Sequence, residues 1–237
     1  MEPSAVMDGL FWFFAFLFST TFHEAAHAWV AMKGGDRTAY QGGQVSLSPL
    51  PHIRREPIGM LLAPLFTAMS SGWAIGWASA PYDPFWADRH PRRAAWMAAA
   101  GPAANFTLAI ASLLLLRAGL AMGYFVPPPR VNFNHLVMAA SGVDGSVAAF
   151  FAQGLSVMLF ENAILGTFNL IPLPPLDGGT AIGLILPEKL AASFRQLARA
   201  PGFSVAGLLV AWLVFPRISR PLFSLVLRLV HPGVVYS

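Results

Sequence analysis

Apolar residues in this chain come in blocks long enough to cross a bilayer, separated by short loops rich in glycine, proline and arginine. Residues 9–32 form the first block, 94–121 the second and 147–171 the third; a last stretch, 203–230, reads as one or two helices. About 20 apolar residues in a helix span a hydrocarbon core, so each block predicts a transmembrane helix. Residues 58–80 are also apolar but are broken by Pro64, Gly72 and Gly76. Before them, Gln44-Val45-Ser46-Leu47-Ser48 alternates polar and apolar side chains, which predicts a short strand. The expected fold is an all-α polytopic membrane protein. It is a bundle of about four to six transmembrane helices with a short β-strand element and room for a re-entrant segment. One membrane-embedded domain would cover 1–237, with its core at 9–186 and C-terminal helices at 187–237.

Composition agrees with this picture. Of the 237 residues, 56% are hydrophobic and 11% charged, against about 25% charged in a soluble domain. The formal net charge of +4 comes from basic residues in short loops, which fits orientation in a membrane rather than binding of nucleic acid. The absence of cysteine excludes disulfides and thiolate metal sites. Glu2 and Asp8 precede the first block and no early Lys or Arg does, so that block is expected to be retained rather than cleaved as a signal peptide.

Loop charge also bears on topology. A full crossing by 58–80 would place the arginine-rich loops 33–57 and 81–94 on opposite faces, against the positive-inside rule. A segment that dips in and returns puts both on the cytoplasmic side. The C-terminal ends of the first and third spans then meet. A full crossing combined with another span hidden in 122–146 gives the same result.

The chemistry lies at those two ends. His23-Glu24-Ala25-Ala26-His27 sits inside the first apolar block, where ionisable residues are costly and usually functional. On a helix His23 and His27 share a face one turn apart, and Glu24 lies about 100° around from His23. Two imidazoles and a neighbouring carboxylate suit a hydrolytic zinc site, which needs one more protein ligand and an open position for water. Asp177 ends the third block, preceded by Pro172, Pro174 and Pro175 and followed by Gly178-Gly179. It is either that third ligand or an N-cap for the next helix. The prolines are expected to hold its approach extended, with unpaired edges open to a substrate strand.

Together with Ala100-Gly101-Pro102-Ala103-Ala104-Asn105 and Asn169-Leu170-Ile171-Pro172-Leu173-Pro174-Pro175-Leu176-Asp177-Gly178-Gly179, the HEAAH stretch resembles the site-2 protease family of intramembrane zinc metalloproteases, in its small form without PDZ or CBS domains. The resemblance implies one zinc ion held by His23, His27 and Asp177, with Glu24 activating water. It implies that Asn169 and Asn105 lie near the site, with Asn169 the better placed to touch substrate or oxyanion. It also implies transmembrane protein substrates, and a place in a bacterial or archaeal cell membrane with the active site toward the cytoplasm. The alternative class is a non-catalytic zinc-binding membrane protein, an inactive homologue or a transporter. A transporter would spread ionisable residues over several spans, and an inactive homologue usually loses the glutamate. Of the remaining histidines, His52 reads as a surface residue rather than a group behind the site, and His90 as a solvated one. Glu161, the one acid in the third block, either lines a substrate path or bonds within the bundle.

Overall fold

The computed structural model describes residues 3–142, 145–198 and 202–234. Helix α1 (Pro3–Gly34) leads to the short α2 (Thr38–Gln41) and α3 (Leu50–Arg55), then a π-helical turn (Ile58–Leu62) and α4 (Ala63–Ser71). Next come α5 (Pro84–Arg89), α6 (Pro91–Ala121), strands β1 (Phe125–Val126) and β2 (Met138–Ala139), and α7 (Gly145–Asn169). The chain closes with α8 (Asp177–Ala181), a 3-10 turn (Ile182–Leu184), α9 (Glu188–Ala198) and α10 (Phe203–Val230). Among the described residues, four helices are long and apolar enough to cross a membrane: α1, α6, α7 and α10. The stretch 203–230 is therefore one helix, continuous through Pro216 and Pro221.

Helices α1, α6 and α7 pack into the core, and α10 lies along its outside. The buried positions of α6 include Ala94, Ala98, Gly101, Asn105, Ala109 and Ser112, which recur at steps of three or four and so form one face. Lipid tails give no hydrophobic drive between helices, so close approach over small residues holds the bundle. On the other side of α7, Phe160 and Phe168 meet Phe223 and Phe215 of α10, with ring centroids 5.3 and 5.4 Å apart.

Residues 58–80 form a hairpin that enters as helix and returns as extended chain. Gly72, at φ 80°, ends α4 in the left-handed conformation that favours glycine. The returning leg is tied back by Ile75 N–H to Thr67 Oγ1 (2.8 Å) and Trp77 N–H to Gly59 O (3.1 Å). At its mouth Ser79 Oγ donates to Glu56 Oε1 (2.9 Å), and Arg55 Nε donates to Ser79 O (3.0 Å). Both basic loops consequently lie at the C-terminal end of α1. Trp86 Nε1 and Arg93 Nη1 each donate to Gly34 O at 3.1 Å, and Asp83 N–H donates to Asp36 Oδ2 at 2.8 Å.

Two expectations on the polar stretch before the hairpin fail. Residues 44–48 are not a strand. Ser46 Oγ accepts from Ser48 N–H (3.1 Å) and Ser48 Oγ from Leu50 N–H (3.4 Å), and such local bonds compete with a ladder. The β element forms instead between α6 and α7, where Phe125 pairs with Ala139 and Val126 with Met138. His52 is not a surface residue: it is 1% exposed, and its Nε2 donates to Ser46 O at 3.1 Å, pinning that loop.

Candidate metal centre

Helix α1 carries His23 and His27 on the side that faces α6. The two rings lie directly on the α6 backbone at Gly101, where a Cβ would collide with Nε2 of both histidines. Each ring is then fixed from behind. His27 Nδ1 is 2.7 Å from the Met97 carbonyl, and His23 Nδ1 is 2.6 Å from Asn105 Oδ1. Asp177 arrives as the first residue of α8. Leu176, not Asp177, takes the N-cap position. The glycine after it lets the turn press against the Leu170 and Ile171 carbonyls, which a Cβ at Gly178 would strike.

The three side chains converge. His23 Nε2 lies 3.0 Å from Asp177 Oδ2, His27 Nε2 lies 3.2 Å from Asp177 Oδ1, and the two Nε2 atoms are 2.9 Å apart. Whether this set fits a metal turns on its protons. A carbonyl oxygen only accepts, so His27 carries its hydrogen on Nδ1; the facing Asn105 oxygen asks the same of His23. Both Nε2 atoms then present lone pairs to each other and to a carboxylate. Three acceptors in contact repel unless a cation or an extra proton lies among them. Two neutral imidazoles and a carboxylate are a donor set suited to zinc. Oε2 of Glu24, the residue next to His23, is buried and has no hydrogen-bond partner.

The sequence profile of Peptidase family M50 matches residues 11–209. The chain belongs to peptidase family M50. Two relatives agree with that placement. "Putative zinc metalloprotease YwhC" of Bacillus subtilis (strain 168) is 32% identical over 187 residues, 79% of this chain and 74% of that one. "Putative zinc metalloprotease Rip2" of Mycolicibacterium smegmatis (strain ATCC 700084 / mc(2)155) is 28% identical over 212 residues, 89% and 69% of the two chains. No solved structure matches the chain significantly. As a member of M50 the chain is a membrane-integral protein of a zinc metalloprotease family, and His23, His27 and Asp177 form a group able to hold a metal ion.

Other candidates in this M50 chain fall in different places. Asn105 is fully buried, and its Nδ2 donates to Asn162 Oδ1 at 2.9 Å, so both ends of its amide are engaged inside the bundle. Asn169 is half-buried at the end of α7, where its Nδ2 donates to Leu165 O (3.1 Å). The approach to Asp177 is not extended, contrary to the proline argument. Tight turns fill it, with Leu173 N–H donating to Ile171 O (2.7 Å) and Leu176 N–H to Leu173 O (3.0 Å). Prolines remove donors, but the intervening leucines keep theirs and close the turns. Glu161 is buried, and neither of its oxygens has a partner. Two contributors had no role assigned from the sequence, Met97 and the Gly101 of the quoted motif. Gly101 acts through the side chain it lacks, and Met97 through its backbone. The stripe of small residues through Gly101 and Asn105 was the available signal that this face of α6 meets α1.

Proposed function

We propose that this M50 member is an intramembrane zinc endopeptidase that hydrolyses peptide bonds in or near transmembrane segments of membrane proteins. The observation that carries the reading is the meeting of His23, His27 and Asp177 at one end of three apolar helices, with Glu24 beside them. Zinc held there supplies the Lewis acidity that activates a water and polarises a scissile carbonyl. Glu24 takes the proton of the attacking water at its unpartnered Oε2 and delivers it to the leaving amide nitrogen. Met97 and Gly101 hold the histidine rings in place during this exchange. Asn169, at the mouth of the turn that carries Asp177, is the residue assigned to substrate or oxyanion. Asn105, its amide already engaged, orients His23 instead.

The active-site end carries both arginine-rich loops, which the positive-inside rule assigns to the cytoplasm. The absence of native cysteine makes this measurable with single introduced thiols. In intact cells an impermeant maleimide should label Arg130→Cys, in the loop between α6 and α7, and should miss Arg92→Cys. The reverse pattern would invert the orientation. The catalytic reading is tested by Glu24→Gln and Asp177→Ala, using tagged single-span membrane proteins as substrates in the same membrane. Glu24→Gln should keep its zinc and lose cleavage, whereas Asp177→Ala should lose both. Cleavage by Glu24→Gln at the wild-type rate would overturn the assignment.

A further inference from the structure

A chain of buried polar groups leads away from His23 through three helices. His23 Nδ1 meets Asn105 Oδ1 of α6 at 2.6 Å, and Asn105 Nδ2 meets Asn162 Oδ1 of α7 at 2.9 Å. Asn162 Nδ2 donates to Ser19 Oγ of α1 (2.8 Å) and to the Met158 carbonyl (2.9 Å). Ser19, Asn105 and Asn162 are all fully buried, so water cannot substitute for a missing partner.

The far end of this chain fixes its direction. The Met158 carbonyl can only accept, so Asn162 must turn its NH2 group toward it and its oxygen toward Asn105. Asn105 must then offer its own NH2 to Asn162 and its oxygen to His23. That places a hydrogen on His23 Nδ1 and leaves Nε2, the atom facing His27 and Asp177, as the one open to a metal. The amide orientations are therefore set by connectivity rather than by choice of atom names. His27 reaches the same state in one step, through the Met97 carbonyl. We propose that Asn162 is a positioning residue for the metal centre. Acting through Asn105, it holds His23 in the metal-binding tautomer before any metal arrives. This rests on the zinc reading of His23, His27 and Asp177, and deepens it.

The test uses the full chain in detergent micelles, with zinc alone as the probe and a competing chelator to read affinity. Asn162→Leu removes the polar end at similar volume and should weaken zinc by about 10-fold or more, the range seen when partners behind a ligand are lost. Asn162→Asp is the conservative rescue. A carboxylic acid in its acid form donates to the Met158 carbonyl and accepts from Asn105, as the amide does, so affinity should stay within about 3-fold of wild type. Adding Asn162→Leu to Asn105→Leu should cost nothing further, since both cut one chain. In the zinc-free protein, 15N shifts of His23 should report a protonated Nδ1 in wild type and a mixture of protonated and bare Nδ1 in Asn162→Leu. Wild-type affinity in Asn162→Leu, equal loss in Asn162→Leu and Asn162→Asp, or losses that add to Asn105→Leu would each overturn the proposal. His27→Ala keeps the two failures apart: if it binds zinc as wild type does, the metal reading itself is wrong.

Discussion

Glu24 and Glu161 are both carboxylates buried in apolar helices, 5% and 2% exposed, and each has oxygen without a hydrogen-bond partner. Glu24 stands on α1 beside two imidazoles that converge with Asp177. Glu161 stands on α7 next to Asn162, whose amide turns away to α6 and α1. Burial and an orphaned oxygen are common to both, so they do not choose between the two as the proposed general base. The convergent donors around one of the two are what distinguish it. An unsatisfied buried polar group costs about 1–3 kcal/mol, and the proposed function gives a reason to retain that cost at Glu24 but none at Glu161.

The largest effect that could break the comparison is on cleavage. Glu24→Gln should lower the rate by about 10²–10⁴-fold, the usual contribution of a general base, while Glu161→Gln leaves it unchanged in the same assay. Equal losses would make Glu161 part of the reaction. A smaller effect sharpens the contrast from the metal side. Gly101→Ala pushes a methyl group into both Nε2 atoms, and at about 1–3 kcal/mol for overpacking zinc affinity measured by chelator competition should fall about 10–100-fold. No change would mean that the rings do not rest on α6. The smallest effect is on stability. Glu161→Leu removes the unpartnered carboxyl and should raise the thermal midpoint by about 2–12 °C, with zinc content and cleavage intact. A lower midpoint would show that Glu161 has a partner that stabilises the bundle.

Much of this was legible in the chain. Long apolar blocks gave the four helices long enough to span, within the expected four to six. The charge of the loops left two readings of 58–80, a dip and return or a full crossing paired with a span in 122–146. The hairpin has the shape of the first. HEAAH placed two histidines on one helix face through backbone geometry alone. What escaped notice depends on contacts distant in sequence or on local competition. Val45 and Leu47 alternate like a strand, yet Ser46 and Ser48 satisfy nearby amides and no partner strand is beside them among the described residues. His52 looked solvated because its neighbours are arginines, and only the fold shows it turned inward to Ser46 O. Asn105 read only as a polar group near the site, because its motif lies there. Its engagement with His23 on one side and Asn162 on the other requires knowing how α1, α6 and α7 pack.

The central claim is that His23, His27 and Asp177 hold one zinc ion while Glu24 is free of it. Elemental analysis of zinc in the purified full-length protein tests it most directly. About one zinc per chain is expected in wild type and in Glu24→Gln, the single metal of a three-ligand site, and none in His23→Ala, His27→Ala or Asp177→Ala. Full zinc in Asp177→Ala, or its loss in Glu24→Gln, would contradict the account.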